Sequence, residues 1–301
     1  MRKVLDKIEP FNFFWLGSCY HHAVVSAMPH YGIKAIEATR CLYPQISADF
    51  NYKKADFDTV YQKVGIDLIP FNCVSADDII ERIERERAVI AGVDCFEISY
   101  RADCYRKKHV LHFILVFGYD TLKKTFSIVE HKYVNSYAFE VKEIDFSELL
   151  RAIESYNTSF RKDENNCNEL TRSAYPNTNG RLPLITKERT DILIGNLKRY
   201  SDLIDGEFSE FLIFYEKISN YIQVVLTGKR MIQKLILGNK TTEINDYLVS
   251  GYTFLATTIM KAFYTKDQSL FQGEKKEKIK NKINELITLE NELMTLWKRD
   301  I

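Results

Sequence analysis

The chain has 301 residues, 46% of them hydrophobic and 28% charged, with 42 Lys+Arg against 41 Asp+Glu. Apolar content of that size fills one large core or two ordinary ones and excludes a disordered or fibrous chain. A formal net charge of +1 gives no global reason to bind nucleic acid or an anionic membrane, so a charged partner has to be met by a local patch.

The opening MRKVLDKIEPFNFF has no apolar h-region and no small-residue cleavage site, so no secretory signal is expected and the chain is placed in the cytoplasm. The longest apolar runs, near 110–119 and 221–226, fall short of the roughly 18–20 residues that span a membrane. All 6 histidines occur by His131, and only Cys167 of the 6 cysteines lies beyond Cys104. No CxxC pair is present, which disfavours a disulfide framework or a zinc ribbon.

In chain order, residues 19–28 have helical composition and stop near Pro29. Residues 76–87 place Ile79, Ile80 and Ile83 on one side of an amphipathic helix that Ser75 can cap. The runs AVIAGVDCF, HVLHFILVFGYD and TFSIVEHKY are short, β-branched and aromatic, and are predicted as strands. The first half is therefore mixed α and β. The stretch 161–184 is polar and Asn-rich and is predicted as a connector. Beyond it, apolar residues recur at helical spacing, with Gly206, Gly228, Gly238 and Gly273 at expected helix ends, giving a bundle of four or five helices over 185–301. Within that bundle EKKEKIKNK reads as a solvated helix face, and Phe208, Phe211, Phe214, Tyr215 and Tyr221 read as core. The catalytic unit is assigned to 1–160.

Chemistry gathers around Cys19, which follows a Gly-Ser turn at the first turn of an apolar helix. The helix dipole and free backbone amides favour a thiolate there, although a free cysteine is also a common buried hydrophobe. His112 interrupts a strand apolar on both faces, where an imidazole needs partners. With a hairpin centred near Thr121, His112 faces Glu130, Ile114 faces Ile128, Val116 faces Phe126 and Phe113 faces Val129. Glu130 can then hold one imidazole nitrogen and leave the other to act on Cys19.

This order, a thiol on a helix N-terminus, then a His opening HFILVFGYD, then an acidic residue on the next strand, resembles that of papain-like cysteine peptidases and transferases. GVDCFEISY, HVLHFILVFGYD and SIVEHKY look more closely like the N-terminal domain of the butirosin-biosynthesis acyltransferase family. They are also similar to the papain-fold amide-forming enzyme of closthioamide assembly. The resemblance covers roughly residues 10–150. It implies an α+β papain-like fold, the Cys-bearing helix packed on an antiparallel sheet, followed here by the all-helical domain.

It also implies a nucleophile at Cys19, a base at His112 and a third member at Glu130, where the family often has Asp and papain has Asn. Papain-like enzymes carry an oxyanion-donating Gln about six residues before the cysteine. This chain has Phe13 there, with Asn12 the nearest amide and the Cys19 backbone N–H a further donor. The implied reaction is transfer of an acyl group from a carrier-protein thioester to an amine in secondary-metabolite biosynthesis. No cofactor is required, since the substrate arrives on the phosphopantetheine arm of an acyl or peptidyl carrier protein.

Hydrolysis by a thioesterase or peptidase uses the same triad, and a noncatalytic scaffold that keeps the fold is a third alternative. Asp94 and Glu97, with Asp103 beyond, are candidates to bind the distal ammonium of a diamine acceptor, against an ordinary role as loop carboxylates. Arg101, Arg106, Lys107 and Lys108 are candidates to dock an acidic carrier, against a solvated loop. No metal is expected, since His109 and His112 point to opposite faces of a strand and no HExxH is present. His21 and His22 are assigned to packing or the surface. The helical half is assigned to covering the cleft or to homo-oligomerisation.

Overall fold

A computed structural model of the chain describes residues 1–12, 18–35, 61–62, 64–132, 138–160, 165–173, 187–235 and 239–297. Two compact units result, one holding the described residues through Ser173 and the other those from Lys187 onward. The architecture is α+β, an antiparallel sheet with helices in the first unit and helices alone in the second.

The first unit is built on a seven-stranded sheet: β1 (Arg2–Val4), β2 (Ile66–Phe71), β3 (Val89–Asp94), β4 (Leu111–Asp120), β5 (Thr125–His131), β6 (Phe139–Asp145) and β7 (Cys167–Arg172). Neighbours run β2-β7-β3-β4-β5-β6, and β1 pairs with the far end of β4. Every residue of β3 is buried, which explains why AVIAGVD lacks alternation: both faces of the strand are covered. Helix α1 (Cys19–Ala27) packs on β4, while α3 (Phe146–Phe160) packs on β3. Helix α2 (Ala76–Glu84) starts with the expected Ser75 cap, reinforced by Asp78, whose carboxylate accepts from the Ser75 N–H at 2.8 Å. Its Ile79 and Ile83 are fully buried.

Close approach dictates a glycine at Gly92. A Cβ there would stand 2.7 Å from Cζ of Tyr156, so the absent side chain lets α3 lie flat on β3.

Two expectations for the sheet unit need correction. Much of 161–184 lies outside the described residues, but Cys167–Arg172 is not a connector: β7 pairs with β2 along its whole length and with β3 through Val89↔Glu169 and Ala91↔Cys167. The sheet unit therefore runs past residue 160. The strand is polar because its partners are polar. Glu169 accepts from Arg87 Nη1 at 2.5 Å and faces Arg82 Nε at 3.4 Å, and the side chain of neighbouring Asn166 bonds both N–H and C=O of Cys73.

The register of the β4–β5 hairpin also differs. Leu115 pairs with Val129 and Val116 with Ile128. After an irregularity between Val116 and Gly118, Gly118 pairs with Ser127, Tyr119 with Phe126 and Asp120 with Thr125. The cause is the turn, which occupies 121–124 rather than centring on Thr121. Asp120 accepts there from the N–H groups of Leu122 and Lys123, and Lys124 closes the turn at φ 56°. One extra residue in β4, at Phe117, absorbs the remaining mismatch.

The second unit consists, among the described residues, of four long helices: α4 (Lys187–Asp205), α5 (Phe208–Leu235), α6 (Asn239–Thr265) and α7 (Gly273–Trp297). Phe211, Tyr215 and Tyr221 lie in its core, with Phe208 and Phe214 packed against it. Gly206 follows α4, and Gly273 opens α7 with φ 51°. Gly228 does not end a helix: it lies inside α5, held there by the core contacts of Val225 and Leu226 before it and buried Lys229 after it. Gly238 is outside the described residues.

A polar cluster absent from the sequence reading sits in this core. Lys229 donates to Glu290 at 2.5 Å, and Tyr252 donates to the other oxygen of Glu290 at 3.0 Å. No helix among the described residues is long and apolar enough to cross a membrane.

Candidate active site

Ser18 is the N-cap of α1 and accepts from the Tyr20 N–H at 3.2 Å, which fixes Cys19 as the first helical residue. Its backbone N–H belongs to the first-turn set without an intrahelical acceptor. The Cys19 side chain is half-buried, and the His112 imidazole and the Phe113 backbone both favour its thiolate form.

His112 enters from β4 and Glu130 from β5. His112 Nε2 lies 2.9 Å from each carboxylate oxygen of Glu130, which leaves Nδ1 for Cys19. Both His112 and Glu130 are buried. Burial opposes charge on each of the three groups, but their mutual interaction outweighs it. His112 is pushed up to about 10, chiefly by the Glu130 carboxylate and then by Cys19. Burial likewise raises Glu130, yet the adjacent His112 charge holds it below the ordinary carboxylate value. Cys19 is raised by burial and lowered more by the His112 charge and hydrogen bond, ending below the ordinary thiol value. Both shifts favour a proton on His112 and a thiolate at Cys19.

Glu130 is fixed from further sides. The His131 N–H donates to Oε1 at 2.7 Å and the Tyr100 hydroxyl approaches Oε2 at 3.5 Å. The ring of His131 stacks on His112 with centroids 5.2 Å apart, Phe139 stacks on His131 at 4.4 Å, and His22 stacks on Phe139 at 4.4 Å. Tyr100, His131 and Phe139 went unassigned to the triad in the sequence. The adjacency of His131 to Glu130 was the one available signal.

The remaining candidates are placed differently. Asn12 is tied to β6: its amide gives a hydrogen bond to the Phe139 C=O at 2.9 Å and takes one from the Phe139 N–H at 2.7 Å, mimicking a strand partner. Phe13 lies outside the described residues. Asp94, fully buried, accepts from His109 Nδ1, Ser155 Oγ and the N–H groups of Phe96 and Val110, so it has no capacity left for an ammonium. Glu97 is taken by Arg106 at 2.7 Å and Arg151 at 3.6 Å, and Asp103 by Arg101 at 3.1 Å.

Arg101 is also withdrawn from docking. Its guanidinium is largely buried between Asp103 and the sulfurs of Cys95 and Cys104. Arg106, Lys107 and Lys108 are exposed. His21 and His22 are both buried in α1, as packing requires, and burial holds both imidazoles below their ordinary value, at about 4 and about 3. His109 stacks on Phe96 and bonds Asp94, apart from the triad's hydrogen bonds.

What these contacts can do is nucleophilic: a thiolate at a helix start, a protonated imidazole beside it and a carboxylate that keeps the imidazole charged. No protein-family model matches this chain, and no curated protein matches it. The chemistry therefore rests on geometry.

Proposed function

We propose that the chain is a papain-fold cysteine acyltransferase that forms an amide bond, taking its acyl group from a carrier-protein thioester. The observation that carries this reading is the buried, hydrogen-bonded His112–Glu130 pair acting on Cys19 at the first residue of α1, which favours thiolate, imidazolium and carboxylate.

The Cys19 thiolate attacks the thioester carbonyl and the bond to the phosphopantetheine sulfur breaks. The departing sulfur takes the His112 proton, leaving an acyl-enzyme and a neutral imidazole. One thioester has replaced another, so no nucleotide is consumed. An amine then adds to the acyl carbon, His112 accepts its proton at Nδ1, and Cys19 leaves as thiolate. Glu130 stabilises the imidazolium formed at each turn. The Cys19 N–H, at the positive end of α1, is suited to stabilise the tetrahedral oxyanion. Arg106, Lys107 and Lys108 supply the local positive charge that an acidic carrier protein would meet.

Intact-mass spectrometry after incubation with a carrier-loaded acyl thioester tests this. An acyl adduct that is absent in Cys19→Ala and is released by an amine supports the proposal. Release by water alone makes the protein a hydrolase, and absence of any adduct makes it a noncatalytic member of the fold.

A further inference from the structure

We propose that the Nε2 side of His112 doubles as a binding site for a divalent transition-metal ion of the zinc type, held by His112, Glu130 and His131, and that its occupation switches the triad off. One ligand atom from each of these three side chains lies within 4.8 Å of the other two. Two imidazoles and a carboxylate form the donor set that borderline divalent ions select, and three protein ligands with an open fourth position is a recurring zinc arrangement. Around a tetrahedral ion with bonds of about 2.0–2.2 Å, donor atoms stand roughly 3.3–3.6 Å apart. Nε2 of His112 lies 2.9 Å from both Glu130 oxygens, closer than that, and the outer limit of 4.8 Å lies beyond it, so an ion is accommodated by side-chain adjustment.

The surroundings hold the set together. The rings of His112 and His131 lie against each other at 27°, and Phe139 backs His131 from behind. His109 carries no part of this, because the second imidazole arrives from β5.

Binding exchanges the Nε2 proton of His112 for the ion, the proton passing to solvent. The remaining ring proton then sits on Nδ1, the nitrogen left for Cys19. An imidazole in that state can donate to the thiolate but has no lone pair with which to deprotonate an amine. Metal binding itself is independent of the acyltransferase reading; only the expected loss of acyl transfer rests on it.

Cobalt(II) is the probe, titrated alone into chelator-treated full-length protein and followed by visible absorption. The expected result is one ion per chain with a low-symmetry d–d band and no sulfur-to-metal charge-transfer band. Affinity should fall at least tenfold in His131→Phe, which keeps the ring stack, and in isosteric Glu130→Gln, and should persist in Cys19→Ser. No d–d band in the unaltered protein, equal affinity in His131→Phe and Glu130→Gln, or loss of binding in Cys19→Ser would each overturn the proposal. The readout does not depend on acyl transfer, so failure of one reading leaves the other standing.

Discussion

Glu130 grips His112 through both carboxylate oxygens at 2.9 Å although the two residues are not partners in the β4–β5 ladder. The ladder starts at Leu115 and Val129, so its register places Glu130 across from Ile114, two residues along from His112 on the same face. A diagonal pair of this kind is within reach of long side chains such as Glu.

The charge state of the pair sets its pH dependence. Because Cys19 titrates below an ordinary thiol, its alkylation by iodoacetamide should reach its plateau rate at lower pH than a free cysteine does. In His112→Ala the two lowering influences of the imidazole vanish while burial, which raises the thiol, stays. The midpoint should therefore move to higher pH. Rate profiles of both proteins between pH 5 and 10 check this, and an unmoved midpoint would show that His112 does not act on the sulfur.

If the proposed reaction holds, Glu130→Gln should cost acyl transfer less than His112→Ala, whose loss is expected at about a hundred- to ten-thousand-fold, the usual contribution of a general acid–base. Without the carboxylate, His112 loses the largest influence raising it, so the thiolate–imidazolium state should end at lower pH. The alkaline limb of the turnover profile should shift down accordingly. An unchanged limb would remove Glu130 from the triad.

Asn12→Ala should act through position rather than through chemistry. It removes two hydrogen bonds to Phe139, each worth about 0.5–1.5 kcal/mol. Urea unfolding should report a loss of roughly 1–3 kcal/mol on that basis. Alkylation of Cys19 at its plateau should stay within a few-fold. A collapse of acylation with unaltered stability would return Asn12 to the oxyanion hole.

In the helical unit, Glu290→Leu leaves the buried Lys229 ammonium without its carboxylate and should destabilise by about 3–5 kcal/mol. The double variant Lys229→Met/Glu290→Leu should recover most of that loss, since both charges are gone. Thermal unfolding of the single and double variants measures the coupling. Additive losses would mean that the pair contributes no mutual stabilisation.

Much of this site was legible because period-two alternation survives a register error of two. His112 and Glu130 remained on one face even though the predicted partners were wrong. The displacement itself was hidden in the turn, where the Asp120 side chain and the left-handed Lys124 set the loop length. CNELTR could not be read as a strand because its stabilisation comes from distant side chains: Arg87 and Arg82 on Glu169, and Tyr31, which donates to the Leu170 C=O at 2.7 Å. The same limit applies to Asp94, Arg101 and Asn12. Their residue types allowed a role toward substrate, and only partners in the fold show Asp94 and Arg101 taken up by other side chains and Asn12 bound to the Phe139 backbone. The cluster of Lys229, Tyr252 and Glu290 was equally hidden, since each arrives on a different helix.

The position of β7 bears on how the protein can be synthesised. This strand is the last described strand of the sheet to leave the ribosome, yet it lies between β2 and β3, and among the described residues β2 pairs with no other strand. Until residue 172 has emerged, β2 and the outer edge of β3 present unpaired backbone, a template for wrong association. Completion of the sheet is therefore a late event along the nascent chain, and a polypeptide stopped at residue 160 would carry Cys19, His112 and Glu130 and still lack the strand that joins β2 to β3.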